Sequence, residues 1–295
     1  MRRFPILTWA RTALLTLVPV FPACATGNFQ NEISLDYDRA DDDSGSEGKF
    51  YGPTYTRYLL PVRIDTAPYA EAAFLEQIGD LSLSFRQGTA KSPTPADFDI
   101  DQYVVSYNYA MPHTPWAFVL TYANGNSHDA SQDIDISRDG VFFGLGRYYD
   151  YGKFAAITYI HSKAEYEVSN VPYFDSEDDD YGLFIKNVYT SEKGFSTNLE
   201  ASITAIYRND AGTKTTNTNY FIAGDLYLTK ASSIGGSASV NTGEDPNVEG
   251  ETYDVRFIIY FTALSSLELG YEKFVAADAA TDDYNQTDFS MSFRF

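Results

Sequence analysis

The chain closes on Phe289-Ser290-Met291-Ser292-Phe293-Arg294-Phe295. A strand turns successive side chains to opposite faces. Phe289, Met291, Phe293 and Phe295 therefore share one face, and Ser290, Ser292 and Arg294 share the other. Chain ends in water usually fray, so a strand that is apolar on one face to its last residue asks for a special setting. An ordinary half-buried sheet strand is one reading. A strand with lipid on one side and a polar lumen on the other is the second, and the preceding sequence favours it.

Working back from this stretch, alternation recurs with polar breaks between. Leu199, Ala201, Ile203 and Ala205 oppose Asn198, Glu200, Ser202 and Thr204. Tyr103, Val105, Tyr107 and Tyr109 share a face, as do Leu81, Leu83 and Phe85, and Ile33, Leu35 and Tyr37. The pleat is unclear in Phe50–Leu60 and Lys153–Lys163. About fourteen strands result, with twelve or sixteen as alternatives. Connectors alternate short (Ala110–Thr114, Tyr149–Gly152, Ser191–Gly194) with long and polar (Gln87–Phe98, Asn124–Arg138, Ala164–Ser176). Tight periplasmic turns and larger outer loops build membrane barrels this way. The expected fold is all-β: a transmembrane antiparallel up-and-down β-barrel. A sheet in lipid must close, because unpaired backbone groups there cost several kcal/mol each. A barrel of this size is too wide for wall side chains to fill. No plug domain is apparent, so a polar, water-filled lumen is expected.

Composition fits. Among 295 residues there are 24 Tyr and 21 Phe, suiting rings with an apolar body and a wet tip at a membrane interface. No apolar run reaches the roughly 18 residues of a spanning helix. Asp and Glu number 41 against 21 Lys and Arg, which disfavours nucleic acid as a partner. The runs Asp41–Asp43 and Asp175–Asp180 read as solvated outer loops, with cation binding as the sharper alternative.

The first 25 residues read as a secretory signal: Arg2, Arg3 and Arg11, an apolar core over Thr12–Phe21, and Ala23-Cys24-Ala25 as a cleavage site. Residues 26–295 would form the barrel. Lipidation of Cys24 is the weaker alternative.

The terminal Phe295, with Phe293, Met291 and Phe289 before it, resembles the C-terminal assembly signal of bacterial outer-membrane barrels. Tyr51-Gly52-Pro53-Thr54-Tyr55, then Pro68-Tyr69-Ala70-Glu71-Ala72-Ala73-Phe74-Leu75, then Leu81-Ser82-Leu83-Ser84-Phe85 resemble the general bacterial porins of Gram-negative outer membranes. This local likeness covers about thirty-five residues. It implies passive diffusion of small hydrophilic solutes through the outer membrane, and insertion by the barrel-assembly machinery into lipid and lipopolysaccharide. It supplies no catalytic residue. Either a monomer or a homotrimer is compatible with it.

An enzyme is not expected. None of His113, His128 and His161 sits in a His-x-Ser pattern for acyl transfer. His128-Asp129 in a predicted outer loop is the one pair suggesting a protease, and a solvated loop pair is the simpler reading. No Cys/His cluster offers a transition-metal site, Asp175–Asp180 lacks the spacing of a calcium loop, and no cofactor is expected. A structural or adhesive barrel binding surface partners through its loops is the alternative function.

The strands also nominate a pore lining. Opposite the apolar faces stand Glu32, Asp36, Asp38, Glu200, Asp225, Asp254, Glu268 and Glu272, with Arg86, Lys186, Arg256 and Arg294. Acids outnumber bases, so a weakly cation-preferring channel is expected.

Overall fold

A computed structural model describes residues 28–63, 65, 68–91, 97–129, 133–169, 171–191, 195–244, 249–277 and 283–295. The signal-sequence reading, Cys24 included, lies outside these residues. The fourteen strands are β1 (Asn28–Asp42), β2 (Glu47–Arg63), β3 (Asp80–Lys91), β4 (Asp97–Ala110), β5 (Trp116–Asp129), β6 (Ile134–Asp150) and β7 (Lys153–Val168); then β8 (Val171–Thr190), β9 (Ser196–Asp210), β10 (Thr213–Thr229), β11 (Ser232–Gly243), β12 (Gly250–Thr262), β13 (Ser265–Ala276) and β14 (Tyr284–Arg294). Each pairs antiparallel with its sequence neighbour, and β14 returns to β1, closing the barrel.

Closure rests on the C-terminal strand. Leu35 stands opposite Met291, Tyr37 opposite Phe289 and Glu32 opposite Arg294. The Phe295 carbonyl accepts the N–H groups of Gln30 and Asn31 at 3.0 and 2.8 Å, and its own N–H donates to the Asn31 carbonyl at 2.9 Å. No edge remains along these two strands, as a hydrocarbon setting demands.

Alternation places each side chain. Leu83, Tyr103, Leu120, Leu183, Leu199, Val255 and Phe289 are exposed on the outer face. Ser34, Ser84, Asn198, Asn219 and Ser292 are buried on the inner one. This apolar-out, polar-in order inverts a soluble protein and is that of a transmembrane barrel. In β2, unclear from sequence, Tyr51 and Tyr55 face out while Gly52 and Thr54 are buried.

The strands outrun their sequence estimates. The long polar connectors are partly strand: β3 reaches Lys91, β5 reaches Asp129 and β7 reaches Val168. Asp175–Asp180 is not a loop but lies within β8. Continuous pairing with β7 and β9 carries it there, Asp179 opposite His161 and Asp178 opposite Arg208. A polar strand is stable beyond the lipid because its backbone hydrogen bonds to neighbours of similar length. β2 runs on through Pro61 to Arg63, and a long connection separates it from β3.

That connection corrects the expectation of an unobstructed lumen. It is the long link at the end that holds Asn28 and Phe295, here termed the near end. Tyr69–Glu71 forms a 3-10 turn and Ala72–Leu75 a single helical turn, α1. Ala72 and Leu75 are buried, and Ala72 packs with Phe29 and Val62. The segment folds across the near mouth instead of hanging below it. Gly152, in the β6–β7 turn, has φ +74°, and any Cβ there would strike the Val188 carbonyl and approach Leu75. Glycine is the residue that allows this turn to lie so close.

Candidate functional site

The inner face of the wall and the segment folded across its mouth are the candidate site. The twelve charged side chains singled out above fall into pairs and a remainder. Arg294 Nε donates to Glu32 Oε2 at 2.8 Å. The Arg86 guanidinium pairs with Asp38 and lies 3.9 Å from Asp36. Arg256 grips Asp225 through Nε at 2.8 Å and Nη2 at 2.6 Å. Lys186 Nζ lies 2.9 Å from Glu200 Oε1. All four bases are thus held by carboxylates. Asp254, Glu268 and Glu272 make no ion pair among the described residues.

Several inner-face groups were missed from sequence. Asp288 stands opposite Gly270 on β13, and its carboxylate accepts from Gln286 Nε2 at 2.6 Å. Asp80 accepts from Asn108 Nδ2 at 3.1 Å. Arg208 Nε donates to Asp178 Oδ1 at 2.9 Å. Strand parity would have found Asp288, which shares a face with Ser290 and Ser292; Asp178 was hidden because its stretch reads as a loop. Glu71 could not be found that way, because it lies on no strand.

Glu71 anchors the segment across the mouth. Its Oε2 is 2.8 Å from Lys186 Nζ, and its Oε1 accepts from the Tyr227 hydroxyl at 2.9 Å. Lys186 therefore bridges Glu71 and Glu200, with the Phe74 ring centroid 4.8 Å away. Phe74 packs on Tyr148 and Phe154 at 5.5 and 6.3 Å between centroids. On the other flank, Arg294 Nη1 donates to the Tyr69 carbonyl at 3.0 Å, and Tyr69 N–H donates to the Lys230 carbonyl at 3.1 Å. Arg294 also lies over the rings of Phe29 and Tyr260, at 4.8 and 5.0 Å. β6, β7, β8, β10 and β14 thus all grip one short segment. Buried and charge-assisted, these are among the stronger contacts a protein makes.

The histidines do not assemble a catalytic group. His128 and Asp129, adjacent in sequence, are on β5, not a loop, and point to opposite faces. Asp129 is buried, whereas His128 is exposed with Nδ1 2.7 Å from Asp135 Oδ1. His161 faces out, Nδ1 3.1 Å from Asp179 Oδ1. His113 occupies a turn at φ 60°. Among the described residues no group of three or more His, Cys, Asp or Glu is arranged to hold a metal ion.

The β8 acids divide between the faces. Asp178 and Asp180 turn inward; Asp175, Glu177 and Asp179 turn outward, where the Tyr159 hydroxyl donates to Asp179 at 2.7 Å. Only part of this run can therefore contribute to an opening.

No known family profile matches the chain, and no curated protein matches its sequence. The likeness to general porins accordingly rests on the residues quoted for it. The fold has solved counterparts. The outer membrane protein Omp33 of Acinetobacter baumannii aligns over 91% of this chain and 99% of its own, with a TM-score of 0.61 and 15% identity. The toluene transporter TodX of Pseudomonas putida aligns over 92% of this chain and 89% of its own, with a TM-score of 0.50 and 10% identity. At these identities the shared feature is the fold: a closed outer-membrane-type β-barrel.

Proposed function

We propose that the protein is a porin of the Gram-negative outer membrane, a passive channel for small hydrophilic solutes with a weak preference for cations. The near end, with its tight turns, would face the periplasm. The observation that carries the reading is the inner face: a closed wall, apolar outside, turns ionisable side chains inward along most of its circumference. Such a lining suits a water-filled path. The segment from Pro68 to Leu75 would form the narrowest ring, so a modest conductance is in keeping with it. Outer-membrane lipid, lipopolysaccharide and the insertion machinery are the partners this reading requires.

The adhesive alternative has less support. Several far-end links are short, such as 43–46 between β1 and β2 and 211–212 between β9 and β10. They offer a partner little surface. Swelling of proteoliposomes in arabinose is the test. Purified protein should speed swelling well above empty vesicles; equal rates would count against a channel.

A further inference from the structure

The inner wall changes character around the barrel. Along the middle of the wall its charged side chains stand on β8 to β10, β12 to β14 and β1 to β3; the inward charges of β5 and β6, Asp129 and Arg138, lie toward the far end. On β4 to β7 the inward positions between Gln102 and Asn108, Ala117 and Ser127, Gly140 and Tyr148, and Phe154 and Ala164 hold no Asp, Glu, Lys, Arg or His. Val104, Val119, Phe142, Phe154 and Ile160 are among them. The two Phe rings are seated against the wall. A Cβ at Gly144 would meet Val119 and the Phe142 ring, and one at Gly146 would meet the Phe154 ring. Glycine there clears the space in which the rings lie.

In a closed ring of fourteen strands, β5, β6 and β7 face β12, β13 and β14 across the lumen. On that far wall Asp254 and Glu272 are register partners, and Asp288 sits opposite Gly270 between Glu268 and Glu272. Like charges set opposite one another destabilise a strand pair. Arg256, the base among them, is engaged by Asp225. The four carboxylates therefore attract a cation from the lumen, and what faces them is an uncharged, largely apolar wall in which Val119, Phe142, Phe154, Ala156 and Ile160 are interspersed with Thr121 and Thr158.

We propose that the lumen favours organic cations with an aromatic or aliphatic body. The ammonium head runs along Asp254, Glu268, Glu272 and Asp288, and the body along Val119, Phe142 and Ile160. A lumen polar all round would pass small hydrated cations in order of size. A two-sided lumen gives a bulky amphipathic cation contacts on both sides, through charge on one and apolar and cation–π contact on the other. This rests on the channel reading and adds the class of solute.

The test uses the full mature chain in planar bilayers whose KCl current shows an assembled channel. Reversal potentials are measured with potassium chloride on one side and either benzyltrimethylammonium or tetramethylammonium chloride on the other. The proposal expects benzyltrimethylammonium to be several-fold the more permeant, although it is the larger ion. Phe142→Ser with Ile160→Ser should reverse that order, and Glu268→Gln with Glu272→Gln should lower both permeabilities relative to potassium. A wild-type order following size overturns the proposal, as does an order unmoved by the apolar-wall variant. An absence of KCl current is a different result, overturning the channel reading itself and this inference with it.

Discussion

Lys186 is the residue on which most of the near mouth converges. It is buried between Glu71 and Glu200 and beside the Phe74 ring. Lys186→Met should leave two carboxylates facing each other, and removing one partner of a buried pair costs roughly 3–5 kcal/mol. The loss falls mainly on the Pro68–Leu75 segment, held by few other polar contacts. Single-channel recordings should show larger, noisier openings than wild type; an unchanged conductance would mean that the segment does not narrow the path. Arg294→Met removes the partner of Glu32, the donor to Tyr69 and a cation between two rings. A similar cost, roughly 3–5 kcal/mol, should lower the temperature at which the folded species converts to the slow-migrating unfolded one on gels. At this scale the sequence was readable wherever alternation was strict. Asp288 was missed although it lies two residues before Ser290, on the same face. Glu71 was unreadable: its partners, Lys186 and Tyr227, stand far along the chain, and only the closed barrel brings them to it.

β14 is the element whose role is plainest. Its backbone closes the wall on β1, and the Phe295 main chain makes three backbone hydrogen bonds to Gln30 and Asn31 and accepts a fourth from Asn31 Nδ2 at 3.3 Å. Deleting Phe295 should reduce the heat-modifiable protein recovered from outer membranes severalfold, far more than deleting a residue from the β1–β2 turn. Equal recovery would mean that the terminal aromatic is not read during insertion. β7 and β8 show where pattern reading failed, and why. The inner face of β7 is mixed, with Phe154, Ala156 and Ile160 turned inward beside Thr158 and Ser162, so no clearly polar face marked its pleat. The acids of β8 look like a loop because loops are polar. A strand beyond the lipid is equally polar, and pairing decides between them. The segment Tyr69–Leu75 is too short for helical periodicity to show, and its fold is set by the aromatic floor beneath it.

Across the whole molecule, the strand count and closure were legible because short and long connectors alternate and each strand shows two faces. The seating of the Pro68–Leu75 segment across the near mouth was not, since it depends on contacts between strands distant in sequence. Nor was the division of the lumen, which appears only when β4 to β7 are set opposite β11 to β14. The charge pattern acquired structure in the same way. Bases engaged in pairs contribute little field of their own, while Asp254, Glu268, Glu272 and Asp288 make no ion pair among the described residues, and in the proposed channel theirs would be the field an ion meets. Screening limits their reach, since the Debye length is about 8 Å at physiological ionic strength.

The proposed channel requires ions to cross the membrane along the acid-lined lumen. The reversal potential of the purified protein in a bilayer under a potassium chloride gradient reports whether they do. A weakly cation-preferring channel gives a potential of the sign set by that preference, modest at physiological salt and rising as both solutions are diluted. A potential of the opposite sign, or none at low salt, would contradict it.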